Sequence, residues 1–179
     1  IKADENIVYV RDGWGNATPG AFWFKGDYIW EAWIDNELVG SKKFYVEDIG
    51  KVTKESNQYF DIASIKLYEG GDTEDKNTAK KYLKEFSKKD SRYIWVELTL
   101  NVKTTSDFFC EVFFNFFDDA GQPKGQDVRM PFVNKDSKDK TITIHAGWGR
   151  NTTGIWTDDK YTLEIVYMDT LLAVVPFKV

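Results

Sequence analysis

Cysteine and histidine are almost missing from this sequence: Cys110 and His145 are the single examples among 179 residues. One cysteine excludes an internal disulfide, and the absence of any CxxC pair excludes the usual zinc and redox frameworks. One histidine leaves a Ser–His or Cys–His centre only His145 to use, and no nucleophile stands near it in sequence. Long apolar runs are lacking as well. The longest, around Leu171 to Phe177, falls far short of the ~20 residues a membrane-spanning helix needs. A positive excess is lacking: the net charge is -5, and no lysine–arginine stripe interleaves with the aromatics, so a phosphate backbone is repelled. Catalysis, metal, cofactor, nucleic acid and a membrane span are therefore not expected.

What the chain does have is apolar and aromatic mass. Hydrophobic residues make up 42% and aromatics 16%, against 30% charged, which sets it apart from disordered tails and supplies a core. Compared with itself, the chain also repeats. Gly13 to Val46 and Gly147 to Val179 align with a one-residue gap, sharing Gly13/Gly147, Trp14/Trp148, Gly15/Gly149, Thr18/Thr152, Gly20/Gly154, Trp23/Trp156, Tyr28/Tyr161, Glu31/Glu164, Leu38/Leu171, Phe44/Phe177 and Val46/Val179. Each copy reads as a glycine-rich lead-in, a loop with a Trp, a strand opening on the shared Tyr, a tight turn, and a strand ending Phe-x-Val. Tyr28, Trp30, Ala32 and Ile34 in one copy, and Tyr161, Leu163, Ile165 and Tyr167 in the other, fall on one strand face and are expected to be core. Asp35-Asn36-Glu37 and Asp169-Thr170 are the expected turns.

Between the copies, Gln58 to Tyr68 predicts a strand with a bulge or bend, and Tyr93 to Lys103 a strand with Ile94, Val96, Leu98, Leu100 and Val102 on one buried face. Phe108 to Phe117 reads as a central strand, Asp118 to Gly121 as a turn, and Thr141 to His145 as a short strand. Ala79, Tyr82, Leu83 and Phe86 recur at helical spacing, predicting one short helix over 78–88. The expected organisation is an incomplete hairpin unit, 1–48, packing on the rest, and a β-sandwich domain, 49–179, which contains the second copy.

Few side chains invite a functional reading. Asp118-Asp119 and Asp158-Asp159 lack the spaced oxygen ladder of a calcium loop and suit turns better. Glu31 and Glu164 lie opposite the expected core face, on solvated strand surfaces. The tryptophans are the sharper candidates: Trp14, Trp23, Trp148 and Trp156 are expected in glycine-rich loops, with Arg150 and Asn151 beside Trp148. Rings placed there either meet a ligand or fold back as plugs over the core, and repetition at equal places favours the plug.

The composite Gly-Trp-Gly, Trp, Tyr-x-x-Glu, Leu and Phe-x-Val resembles the closing hairpin of immunoglobulin-like modules in bacterial exported proteins. Arg92-Tyr93-Ile94-Trp95-Val96-Glu97-Leu98 resembles the central strand of such modules, so the likeness covers most of 58–179 and 13–46. Asn36 and Thr170 depart from the glycine usual after Asp in that turn. The resemblance implies an immunoglobulin-like antiparallel β-sandwich, extracytoplasmic, acting as a protein-interaction or architectural module. A carbohydrate-binding module using the same tryptophans is the alternative. Starting at Ile1, without a charged stretch and apolar segment ahead, suits a processed or trimmed chain.

Overall fold

The computed structural model describes residues 10, 12–16, 22–47, 52–53, 55–74, 79–134, 136 and 140–179. The repeat matches Thr18 and Gly20, and Thr78 at the start of the expected helix, lie outside them. The chain divides into two compact units, Ile1–Gly50 and Lys51–Val179. Every strand in the described residues lies in an antiparallel sheet.

The first unit contains one hairpin, β1 (Gly26–Ile34) with β2 (Glu37–Val46). Asp35 and Asn36 turn it at φ 48° and 67°. Two successive left-handed residues twist in the sense that suits a tight hairpin, and Asp and Asn tolerate that region better than most. The unit supplies no second layer among its described residues, so the expected core face is not a core. Trp30 and Ile34 are 43% and 62% exposed, while Tyr28 and Phe44 are half-buried against Trp23.

The second unit is a sandwich-like pair of sheets sharing one apolar core. One sheet orders β3 (Phe60–Gly70), β4 (Tyr93–Val102) and β9 (Thr141–Gly149) as β3-β4-β9. The other orders β6 (Val112–Asp118), β7 (Pro123–Arg129), β10 (Lys160–Tyr167) and β11 (Thr170–Lys178) as β11-β10-β6-β7. A two-stranded ribbon, β5 (Phe108–Phe109) with β8 (Phe132–Val133), completes the set. The period-two pattern carries the packing: Ile94, Val96, Leu98 and Leu100 from one sheet, and Val112, Phe114, Phe116, Leu163 and Ile165 from the other, are each 0% exposed. Burying one such side chain stabilises by about 1.5–3 kcal/mol relative to leaving it in water.

Several expectations are corrected here. The stretch 108–117 is broken at Cys110-Glu111, where Cys110 N–H donates to Pro131 O at 2.9 Å and β5 leaves to pair with β8. The second turn centres on Met168-Asp169, at φ 48° and 57°, one residue earlier than its sequence suggested. Met168 has no turn chemistry of its own, and the pairing of Tyr167 with Thr170 imposes the bend. Strand β3 does bulge, between Ile62 and Ser64.

No helix forms in the described residues of 78–88. The segment runs as a strap between open sheet edges: Leu83 N–H donates to Leu67 O at 2.8 Å on β3, and Phe86 N–H to Lys178 O at 3.0 Å on β11. Lys178 N–H returns a bond to Lys84 O at 3.0 Å. A helix this short is marginal by itself in water. Edge strands offer the same backbone groups partners at once, and Leu83 and Phe86 still reach the core. On the other flank the sheets meet through β7 and β9, where Asp127 Oδ2 accepts from Gly147 N–H at 2.9 Å.

Candidate functional site

The repeated tryptophans form two clusters of like geometry. In the second unit Trp156 meets Tyr161 edge-on at 4.9 Å and Phe177 at 6.0 Å, and Tyr161 stacks on Phe177 at 5.7 Å. Thr157 N–H donates to Tyr161 Oη at 2.9 Å, tying the Trp loop to the first residues of β10. In the first unit Trp23 meets Tyr28 at 4.9 Å and Phe44 at 5.7 Å, Tyr28 stacks on Phe44 at 5.6 Å, and Phe24 N–H donates to Tyr28 Oη at 3.2 Å. Matched residues thus make matched contacts.

Their exposure differs sharply. Trp156 is buried, with its indole Nε1–H donating to Arg92 O at 3.2 Å, so it presents no face to solvent. Trp148 does not stand in a loop: it is on β9, half-buried, edge-on to Trp156 at 4.8 Å. Glycines make room for such rings. A Cβ on Gly125 of β7 would lie 2.1 Å from the Trp148 ring, and one on Gly147 would lie 2.6 Å from Trp95, the residue opposite it on β4. In a strand, glycine marks this kind of close approach. Arg150 and Asn151 are exposed, and Asn151 Nδ2 donates to Asp72 Oδ2 at 3.2 Å. In the first unit Trp23 is half-buried, whereas Trp14 is 69% exposed.

A polar network that sequence reasoning missed lies on the outward face of β3-β4-β9. His145 Nδ1 is 3.2 Å from Tyr68 Oη and 3.3 Å from Lys80 Nζ, and its Nε2 is 3.4 Å from Glu74 Oε1. Lys80 also lies 3.6 Å from Glu97, which accepts from Tyr82 Oη at 2.8 Å. Burial, reinforced by the charges of Glu74 and Glu97, pushes the Tyr68 hydroxyl well above its ordinary range and keeps it protonated. Glu97 is held below the usual carboxylate range: burial alone would raise it, but the Tyr82 hydroxyl and the charges of Lys80, His145 and Lys66 prevail. A shallow cleft of about 530 Å³ lined by Glu74, Arg129, Met130, Pro131 and Thr143 to His145 opens beside the network. Separations of tens of residues hid the cluster, because only the pairing of β4 with β3 and β9 brings Tyr68, Glu97 and His145 side by side. Chemically the network works as a clasp. Each ionic group named is matched by another, and Lys80 and Tyr82 fasten the strap to the sheet.

Among the described residues no group of three or more His, Cys, Asp or Glu could hold a metal ion, and no helix is long and apolar enough to cross a membrane. No protein-family model and no curated protein matches the chain. Among solved structures it is similar to Pseudomonas fluorescens alkylpurine DNA glycosylase AlkC bound to DNA containing an abasic site analog. The identity is 10% over 49% of this chain, with a TM-score of 0.35. The match covers 25% of that protein, and a likeness of this degree carries no argument about this chain's fold or activity.

Proposed function

We propose that this chain is a non-catalytic protein-interaction or architectural module of an exported protein, with immunoglobulin-like β-sandwich architecture. The observation that carries the reading is the apolar surface of the β1–β2 hairpin, where Trp33, Ile34, Leu38 and Val39 are 57%, 62%, 45% and 54% exposed. Large apolar side chains gathered on one exposed element mark interaction sites in soluble proteins. The clasp supports the non-catalytic part, since its acids and bases are paired with one another. The sugar alternative is weaker in the second unit, where Trp156 is buried and Trp148 half-buried, and it rests mainly on exposed Trp14.

Two variants separate the readings: Trp33→Ser with Ile34→Ser, and Trp14→Ala. The expected result is saturable, stoichiometric binding to one protein that the double variant loses and Trp14→Ala keeps. Saturable glycan-array binding lost in folded Trp14→Ala would replace this reading with the carbohydrate one.

A further inference from the structure

The two hairpins correspond residue for residue, and their surroundings do not. Tyr28 pairs with Phe44 as Tyr161 pairs with Phe177, and Trp30 with Lys42 as Leu163 with Val175. The register shifts at Ala32/Trp33 in one and at the matching Ile165/Val166 in the other. The left-handed turn residues Asp35-Asn36 and Met168-Asp169 also match. Among the described residues only the second hairpin has strand partners beyond itself. There β10 pairs along its other edge with β6, and Leu163, Ile165 and Tyr167 are 0%, 0% and 4% exposed against the opposite sheet. The lead-in Gly147-Trp148-Gly149 is the end of β9 and pairs with β4. The equivalent Gly13-Trp14-Gly15 is in no strand, the far edge of β1 carries no strand among the described residues, and Trp30 and Ile34 stand exposed where Leu163 and Tyr167 are covered.

We infer that β1–β2 is the closing hairpin of a second sandwich of the same make, and that its docking partner is a set of strands equivalent to β3, β4, β6, β7 and β9. The inference rests on the interaction reading above and names its partner class. The second unit shows what covers such a hairpin: a Phe-rich strand along the open edge of the first hairpin strand, and a second sheet laid over the Tyr28, Trp30, Ala32 and Ile34 face. That unit closes its own core with β10–β11, so the partner is a like core without a closing hairpin.

The test joins residues 51–146 directly to Gly13, giving a chain of 51–146 followed by 13–179, so that Gly13 follows Ala146 as Gly147 does. A second version carries Trp30→Leu, Ala32→Ile and Ile34→Tyr, matching the hairpin to the core it is offered. Amide hydrogen exchange is read on the open edge of β1, with β10 as internal reference and the unextended chain as comparison. The expected result is exchange at that edge slowed roughly a hundredfold in at least one version, as for amides moved from a fraying edge into a cooperative core. Unchanged exchange in both overturns the inference. It leaves the interaction reading standing, because binding through Trp33 and Ile34 is measured separately. If the unextended chain forms a concentration-dependent dimer that protects the same edge, the partner is a second copy, and the inference is likewise overturned.

Discussion

Single residues decide where rings can lie in this protein. Trp95 covers Gly147 across the β4–β9 ladder and donates its indole N–H to Gly71 O at 2.9 Å, while Trp148 covers Gly125. Sequence alone marks these glycines as loop formers, since nothing local distinguishes a turn glycine from one that yields space to a ring on another strand. Replacing Gly125 or Gly147 by Ala sets a methyl inside the indole, and the ring or the strand must move. Overpacking of this kind costs about 1–3 kcal/mol. The control is Gly71→Ala, which meets nothing within 4 Å and leaves the carbonyl bonded to Trp95 in place. Urea midpoints falling for Gly125→Ala and Gly147→Ala but not for Gly71→Ala check the account.

At the scale of elements, strands with clean alternation were legible and those without it were not. The run from Tyr93 to Val102 declares its buried face, and the shared Tyr and Phe-x-Val declare β10 and β11. Strand β7, Pro-Lys-Gly-Gln-Asp-Val-Arg, has no apolar period, because it is an edge whose polar residues pair with β6. The strap deceived for a different reason. Leu83 and Phe86 are three apart in a helix pattern, but they reach the core from an extended chain held by edge hydrogen bonds. Those bonds predict which amides exchange slowly: Leu83 and Phe86 are protected, and Lys84, whose carbonyl rather than amide is engaged, is not. A helix would instead protect a contiguous run. Phe86→Ala, losing a ring packed edge-on to Phe177 at 5.9 Å, costs on the order of 3 kcal/mol and speeds exchange at both protected amides.

For the molecule as a whole, the ionisable groups set a stability that falls at both ends of the pH scale. Asp118 is held below the ordinary range by the Lys124 ammonium, 2.8 Å away, and by the Gln122 N–H; Asp159 is lowered by Lys88, Glu85 by Lys178, and Glu97 within the clasp. A carboxylate with a depressed folded pKa adds stability above its unfolded value, about 4, and that contribution is lost as pH falls through the folded value. Burial acts in the opposite sense on neutral acids: Tyr68 and Tyr167 are raised above their usual range, and the Cys110 thiol is pushed up to about 12. These groups contribute below their unfolded values, about 8.5 for a thiol and 10 for a phenol, and the contribution is lost as pH rises beyond them. Urea midpoints, followed by the near-ultraviolet dichroism of the Trp156–Tyr161–Phe177 cluster, should therefore drop below about pH 4 and again above about pH 9. Tyr68→Phe should flatten only the alkaline limb, whereas Asp118→Asn should flatten the acid limb and also remove the alkaline contribution of Lys124, whose ammonium Asp118 holds above its ordinary range. An Asp118→Asn variant that left the acid limb intact, or a Tyr68→Phe variant that flattened it, would show that these groups do not carry the pH dependence.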